Sequence, residues 1–230
     1  YSITPSYYYN FTTDQRLIAK TSFDIYDMRD THDRFINEYY PAGHKVYDTK
    51  YYNNTSLTYE LKKELPPIQS SVNLSVTGGW VVNLLYPDIN FAYSEAKFSF
   101  NIKLTDHLTW ATQVNGKALF SNQYEFFQSA SADLRGARNN RYIGRQTLYQ
   151  HTDLRYDMGN LQNPFMPLMY GVFGGFDYGR VWYPGEYSKK WHPSFGGGFW
   201  LTLFKNYTGK FSYFGSHDGS RFTFGLGMGF

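Results

Sequence analysis

Near its C-terminal end the chain alternates without a fault. Phe222, Phe224, Leu226, Met228 and Phe230 are large and apolar, while Arg221, Thr223, Gly225, Gly227 and Gly229 between them are polar or small. A period of two predicts a β-strand, and about ten residues is the length of a tilted strand that crosses a bilayer. The same period recurs upstream. Residues 16–26 set Leu17, Ala19, Thr21, Phe23 and Ile25 against Arg16, Ile18, Lys20, Ser22 and Asp24. Residues 51–63 set Leu57, Tyr59 and Leu61 against Thr58, Glu60 and Lys62, and stop at Pro66-Pro67, which cannot continue a ladder. Strands are also predicted at 69–80, 96–104, 108–120, 147–158, 168–183, 195–204 and 210–215. The aromatic run Tyr7, Tyr8, Tyr9 fits the end of another strand.

About eleven strands result, separated by short turns and long loops in alternation. Residues 27–50 are polar and aromatic without a period, 81–90 read as a loop closed by Pro87-Asp88, and 121–145 form a long polar connection. Long loops on one side and short turns on the other are expected of an all-β transmembrane antiparallel barrel. The competing architecture is a soluble two-sheet sandwich, whose strands are usually shorter, about 5–6 residues.

Composition sharpens that choice. Aromatic residues make up 21% of the chain, more than a soluble domain readily hides but suited to lipid-facing strands and interfacial girdles. The net charge of +3 implies no basic surface on the scale of a nucleic-acid partner, and zero Cys excludes disulfides and Cys-ligated zinc. Mean hydropathy is negative and no run of about 18 apolar residues exists, so no membrane-spanning helix is expected. A barrel stays compatible, because each of its strands is only half apolar. The chain opens at Tyr1 without Met or a signal peptide, as a mature protein or a fragment does.

Three stretches carry candidate chemistry. Leu134-Arg135-Gly136-Ala137-Arg138 is followed by Arg141 and Arg145, a cluster that could bind an anion or stand as a solvated basic loop. In Phe176-Asp177-Tyr178-Gly179-Arg180, Asp177 falls opposite Val172, Phe176 and Tyr178, so it points inward if those face lipid. An inward carboxylate needs a cationic partner, and the arginine cluster supplies one. Gly196-Gly197-Gly198 lacks the Lys and following helix of a phosphate loop, and in a strand it marks a bend or a close backbone approach. Along 147–158, Tyr149, His151, Asp153, Arg155 and Asp157 share one polar face, which would be the interior of a barrel. No G-x-S-x-G, no H-E-x-x-H and no carboxylate pair with a His is found, so no enzyme, cofactor or metal site is expected. Asp153 and Asp177 read more economically as salt-bridge partners than as an acid/base pair.

The succession LRGARNNRYIGR, YQHTDLR, GFDYGRVW, KKWHPSFGGGFW and FGLGMGF resembles the C-terminal barrel of the BamA/TamA superfamily of outer-membrane assembly and translocation proteins, in the form common in Bacteroidetes. The resemblance covers roughly 69–230 and is most specific from Leu134 onward. It implies a sixteen-stranded barrel in the bacterial outer membrane whose arginine-bearing loop folds into the lumen. Arg135, with Leu134 and Gly136, matches that loop motif, and Asp153 and Asp177 are the implied partners of Arg135. Ala137 departs from the family's Phe or Tyr, and Tyr142 is the aromatic that could substitute. Thr223, Gly225, Met228 and Phe230 match the terminal signal by which outer-membrane proteins are recognised for insertion. The implied function is insertion or translocation of client outer-membrane or secreted proteins, through a weak seam at the last strand. Outer-membrane lipid or lipopolysaccharide and other envelope subunits are the remaining implied partners. If the last strand is the sixteenth, Tyr1 falls near the sixth. The alternative is a barrel that anchors or exports a fused patatin-like lipase or metallophosphoesterase. A pore for small solutes fits less well, because the loop would plug it.

Overall fold

The computed structural model describes residues 1–27, 47–65, 70–86, 89–161, 167–185, 189–204 and 207–228. The fold is all-β and antiparallel. Its strands are β1 (Ser2–Ile3), β2 (Ser6–Asn10), β3 (Gln15–Tyr26), β4 (Lys50–Leu65), β5 (Ser70–Asn83), β6 (Asn90–Lys103), β7 (Leu108–Leu119), β8 (Ala130–Ala132), β9 (Tyr142–Gly144), β10 (Gln146–Leu161), β11 (Leu168–Trp182), β12 (His192–Leu203), β13 (Tyr207–Ser216) and β14 (Gly219–Met228). All but β8 and β9 join one sheet, in which β3 to β7 and β10 to β14 follow one another in chain order. Both β1 and β2 pair with β3, Ser2 opposite Asp24 and Ser6 opposite Lys20. They are two halves of one edge strand, interrupted at Thr4-Pro5 because proline has no N–H to give to the ladder. Counted so, the main sheet has the eleven strands expected from periodicity. The β8–β9 hairpin forms a separate small sheet within the β7–β10 connection.

The alternation in sequence gives the sheet two unlike faces of unequal exposure. The apolar face is open: Phe222 is 82%, Leu226 77% and Phe195 61% exposed. The polar face is covered over part of its width: Asp177 and Ser194 are wholly buried, and Asp153 and Asn115 nearly so. Carboxylates are rarely buried so fully unless they are paired. Cross-strand register places Tyr156, Val172, Phe199, Phe211 and Phe224 in one continuous row over five strands. Along that row the rings of Phe199 and Phe211 lie 4.8 Å apart, and those of Phe211 and Phe224 4.6 Å.

The polar face is concave. Asp153 on β10 and Lys210 on β13 are three strands apart, about 14 Å in a flat sheet. Yet Lys210 Nζ lies 3.5 Å from Asp153 Oδ2. Glycines allow this curvature: a Cβ at Gly198 would sit 1.9 Å from the Phe211 carbonyl oxygen, and one at Gly196 2.1 Å from that of Tyr213. The glycine triplet is thus a close backbone approach, as its strand context suggested. Connections differ by end. One end carries 27–49, 84–89, 120–145, 183–191 and 217–218; the other carries 11–14, 66–69, 104–107, 162–167 and 204–206, none longer than six residues.

Two readings of the sequence need correction. Residues 81–90 are not all loop, because β5 continues to Asn83 and β6 already starts at Asn90. Both extensions are held by a cluster of Tyr52, Val81, Phe91 and Leu119, with Tyr124 and Phe127 packed against it. Residues 121–145 are not merely a polar connection either, since they hold a 3₁₀ turn at Phe126–Gln128 and the β8–β9 hairpin. Pro66-Pro67, Pro87-Asp88, residues 28–46 and Phe230 lie outside the described residues. Among the described residues, no helix is long and apolar enough to cross a membrane.

Candidate functional site

The segment between β8 and β9 folds onto the concave face and makes a dense set of polar contacts there. Leu134 anchors it, buried with Ala132, Ala137 and Tyr142 against Tyr149 and Val181. A tight turn follows, closed by the Ala137 N–H donating to the Leu134 carbonyl at 2.9 Å. With Leu134 buried on one side of the turn, Arg135 projects to the other, into the sheet. Its Nη1 lies 2.6 Å from Asp153 Oδ1, and its Nε 2.9 Å from Asp177 Oδ1. The Arg135 backbone N–H also donates to Asp177 Oδ2 at 2.9 Å, so loop backbone and side chain share one carboxylate. The guanidinium carbon lies 3.9 Å from the centre of the Phe214 ring, a cation–π contact on its remaining side.

The sheet makes room for this group by register. Asp153 stands opposite Gly175, two residues along β11 from Asp177. A Cβ at Gly175 would lie 2.5 Å from Asp153 Oδ1 and 2.7 Å from Arg135 Nη2. Asp153 also meets Lys210 at 3.5 Å and Arg155 at 3.6 Å, whereas buried Asp177 has Arg135 as its cation. A polar cavity of about 300 Å³ adjoins Arg135 and reaches from Asn73 on β5 to Lys210 on β13. Both carboxylates are engaged by the one guanidinium. Among the described residues, no group of three or more His, Asp or Glu is placed to hold a metal ion.

Beyond Arg135 the loop is tied to the last three strands. The Gly136 N–H donates to Ser194 Oγ at 2.9 Å, and Ser216 Oγ donates to the Gly136 carbonyl at 3.0 Å. Arg221 of β14 donates to the Ala137 carbonyl at 3.1 Å and to Asn139 Oδ1 at 2.6 Å. Tyr142 stacks on His192, ring centres 4.0 Å apart, and its hydroxyl donates to Asp218 in the β13–β14 turn. Arg141 Nε reaches the same carboxylate at 3.3 Å. Sequence reading missed Ser194, Ser216, Asp218 and Gly175. Arg221 carried a signal, as the one charge on an otherwise small inner face. Of the terminal residues singled out, Thr223 lies on the concave face and shares a hydrogen bond with Ser212 at 2.6 Å. Gly225 stands opposite Lys210 and Met228 opposite Tyr207.

The Tyr142–Asp218 contact makes loop attachment sensitive to pH. Burial, then the hydrogen bond to Asp218, pushes the Tyr142 phenol up to about 12. Hydrogen bonds from Tyr142 and then Arg141 hold the Asp218 carboxyl below the usual range. A raised phenol stabilises the folded form fully below its unfolded value near 10, and that stability is lost as pH rises towards 12. A lowered carboxyl stabilises above about 4, and its contribution is lost as pH falls through the folded value. Tyr142→Phe should therefore weaken loop protection near neutral pH and flatten its loss in the alkaline range. Hydrogen exchange of the loop amides against pH measures this, and parallel curves for the two proteins would dismiss the contact.

No protein-family model matches the chain, and no curated protein matches it significantly.

Proposed function

We propose that the open apolar face meets lipid. In this reading the sheet belongs to an outer-membrane β-barrel of the BamA/TamA kind, which assists insertion or translocation of proteins at the bacterial outer membrane. The observation that carries the reading is the docked loop. An arginine from the longest connection within the described sheet is clamped between carboxylates of the next two strands, beneath an outward apolar face. That combination has no use in a soluble sandwich, where the charged face would lie in water and the phenylalanines inside. The unequal connections support it too, the short ones facing the periplasm.

The working part is β14. In the sheet order it stands last, paired with β13. Its Gly225 and Gly227 would have nothing within 4 Å of an added Cβ, so the concave side of this strand packs little. An open strand edge is a pairing template, and in lipid its unmet backbone groups are costly. A client strand that pairs with β14 relieves that cost. No covalent chemistry is required.

A photo-cross-linking residue at Phe224 or Leu226, in cells making outer-membrane proteins, should give adducts with newly synthesised barrel proteins. Folded, membrane-inserted protein that gives no such adducts would count against an assembly role and leave the anchoring role standing.

A further inference from the structure

On the convex face, β11 presents Leu168, Tyr170, Val172, Gly174, Phe176, Tyr178, Arg180 and Trp182 in turn. Arg180 is the first charge met on this column towards the longer connections. From Leu168 to Arg180 is about 40 Å along the strand, or about 30 Å of depth at a tilt near 40°. That depth takes in the apolar band of an outer-membrane barrel, about 25 Å tall, and the start of its aromatic girdle. Arg180 therefore stands at its rim.

The rim is built. The Arg180 guanidinium lies over the Trp182 ring at 4.9 Å. Trp191 packs edge-on to Trp182, centres 6.1 Å apart, and lies flat on Tyr178 at 4.8 Å with planes 3° apart. Trp182 thus carries the cation and is braced by Trp191, which rests on Tyr178. Lys189 and Lys190, both exposed, precede Trp191 directly. Below them, Phe176 and Phe195 pack at 4.9 Å and continue the apolar face.

We infer that Arg180, Lys189 and Lys190, framed by Tyr178, Trp182 and Trp191, form a site for the phosphate of an outer-leaflet lipid headgroup. The inference rests on the lipid-facing reading of the convex face. Guanidinium matches phosphate oxygens in a fork, and tryptophan and tyrosine sit naturally at headgroup depth. The apolar ground beneath the cations favours a lipid over free phosphate, because only a lipid has acyl chains to lay on Phe176 and Phe195.

The test compares wild type with the Arg180→Gln/Lys189→Gln/Lys190→Gln variant, both reconstituted in phosphatidylcholine vesicles with or without lipid A. Both proteins should enter plain phosphatidylcholine vesicles alike, with the same protease-protected core. Lipid A retained through detergent extraction, read by native mass spectrometry, should fall by about tenfold or more in the variant, as charge-assisted contacts are lost. Dephosphorylated lipid A should be retained weakly by both. Equal retention of lipid A by the two proteins, or wild-type protein that retains dephosphorylated lipid A as well as lipid A itself, overturns the site. Complete displacement of lipid A by millimolar inorganic phosphate overturns it too, by showing an anion site indifferent to lipid. Protein that enters no vesicle overturns the lipid-facing reading itself, and this site with it.

Discussion

Arg135→Glu is expected to release the loop from the concave face and destabilise the folded sheet by about 3–5 kcal/mol, the usual result of breaking a buried ion pair from one side. Arg135 is itself largely buried, its side chain 14% exposed, so solvent screens the loss little. The two carboxylates would not suffer equally. Asp153 keeps Lys210 and Arg155 nearby, whereas Asp177, with no exposure at all, would face a third carboxylate in place of its fork. The loss should therefore fall mainly on Asp177. Arg135→Lys keeps the charge but cannot bridge both carboxylates through a planar fork, and should lie between wild type and Glu. Urea midpoints and gel heat-modifiability measure the stability, and trypsin cleavage after Arg138 or Arg141 reports release of the loop. A Glu variant with wild-type midpoint and wild-type cleavage would remove Arg135 from any structural role.

Gly136→Val should be the next largest effect, for steric reasons. A Cβ there would sit 2.5 Å from Ser194 Oγ and 2.8 Å from the carbonyl carbon of Gly215. The serine can turn away, but the backbone of β13 cannot. Overpacking of this kind costs about 1–3 kcal/mol. Lifting the loop also strips buried Ser194 of its partner, for about 1–3 kcal/mol more. The loop should then be cut rapidly by trypsin while the strands stay protected. Adding Ser194→Ala should not restore it, because the decisive clash is with Gly215. Recovery in that double variant would show that the hydroxyl, not the close approach, governs seating.

Much of this was legible in the chain. The strands and both of their faces follow from period-two alternation, because side-chain direction in a strand is fixed by parity alone. Asp177 could be turned inward by counting from Val172, and Arg135 was the natural cation for it. The polar ties of the loop were not legible. Ser194 lies 58 residues from Gly136 and Arg221 lies 84 from Ala137, and only the register of intervening strands brings them together. The β8–β9 hairpin escaped notice because Ala130–Ala132 and Tyr142–Gly144 are too short to show a period. Gly175 looked like one more glycine in a glycine-rich strand, until the space its missing side chain leaves proved to be filled by a guanidinium.

Arg221 has a mechanical consequence. A strand that slides in its ladder and keeps its faces must move two residues at a time, about 7 Å per step. With Gly225 and Gly227 inward, β14 has little side-chain bulk to resist such a slide. Arg221, gripping Ala137 and Asn139, is the tooth that indexes it. One step in either direction carries that tooth beyond reach of its carbonyl, so β14 can slip only after the loop has let go.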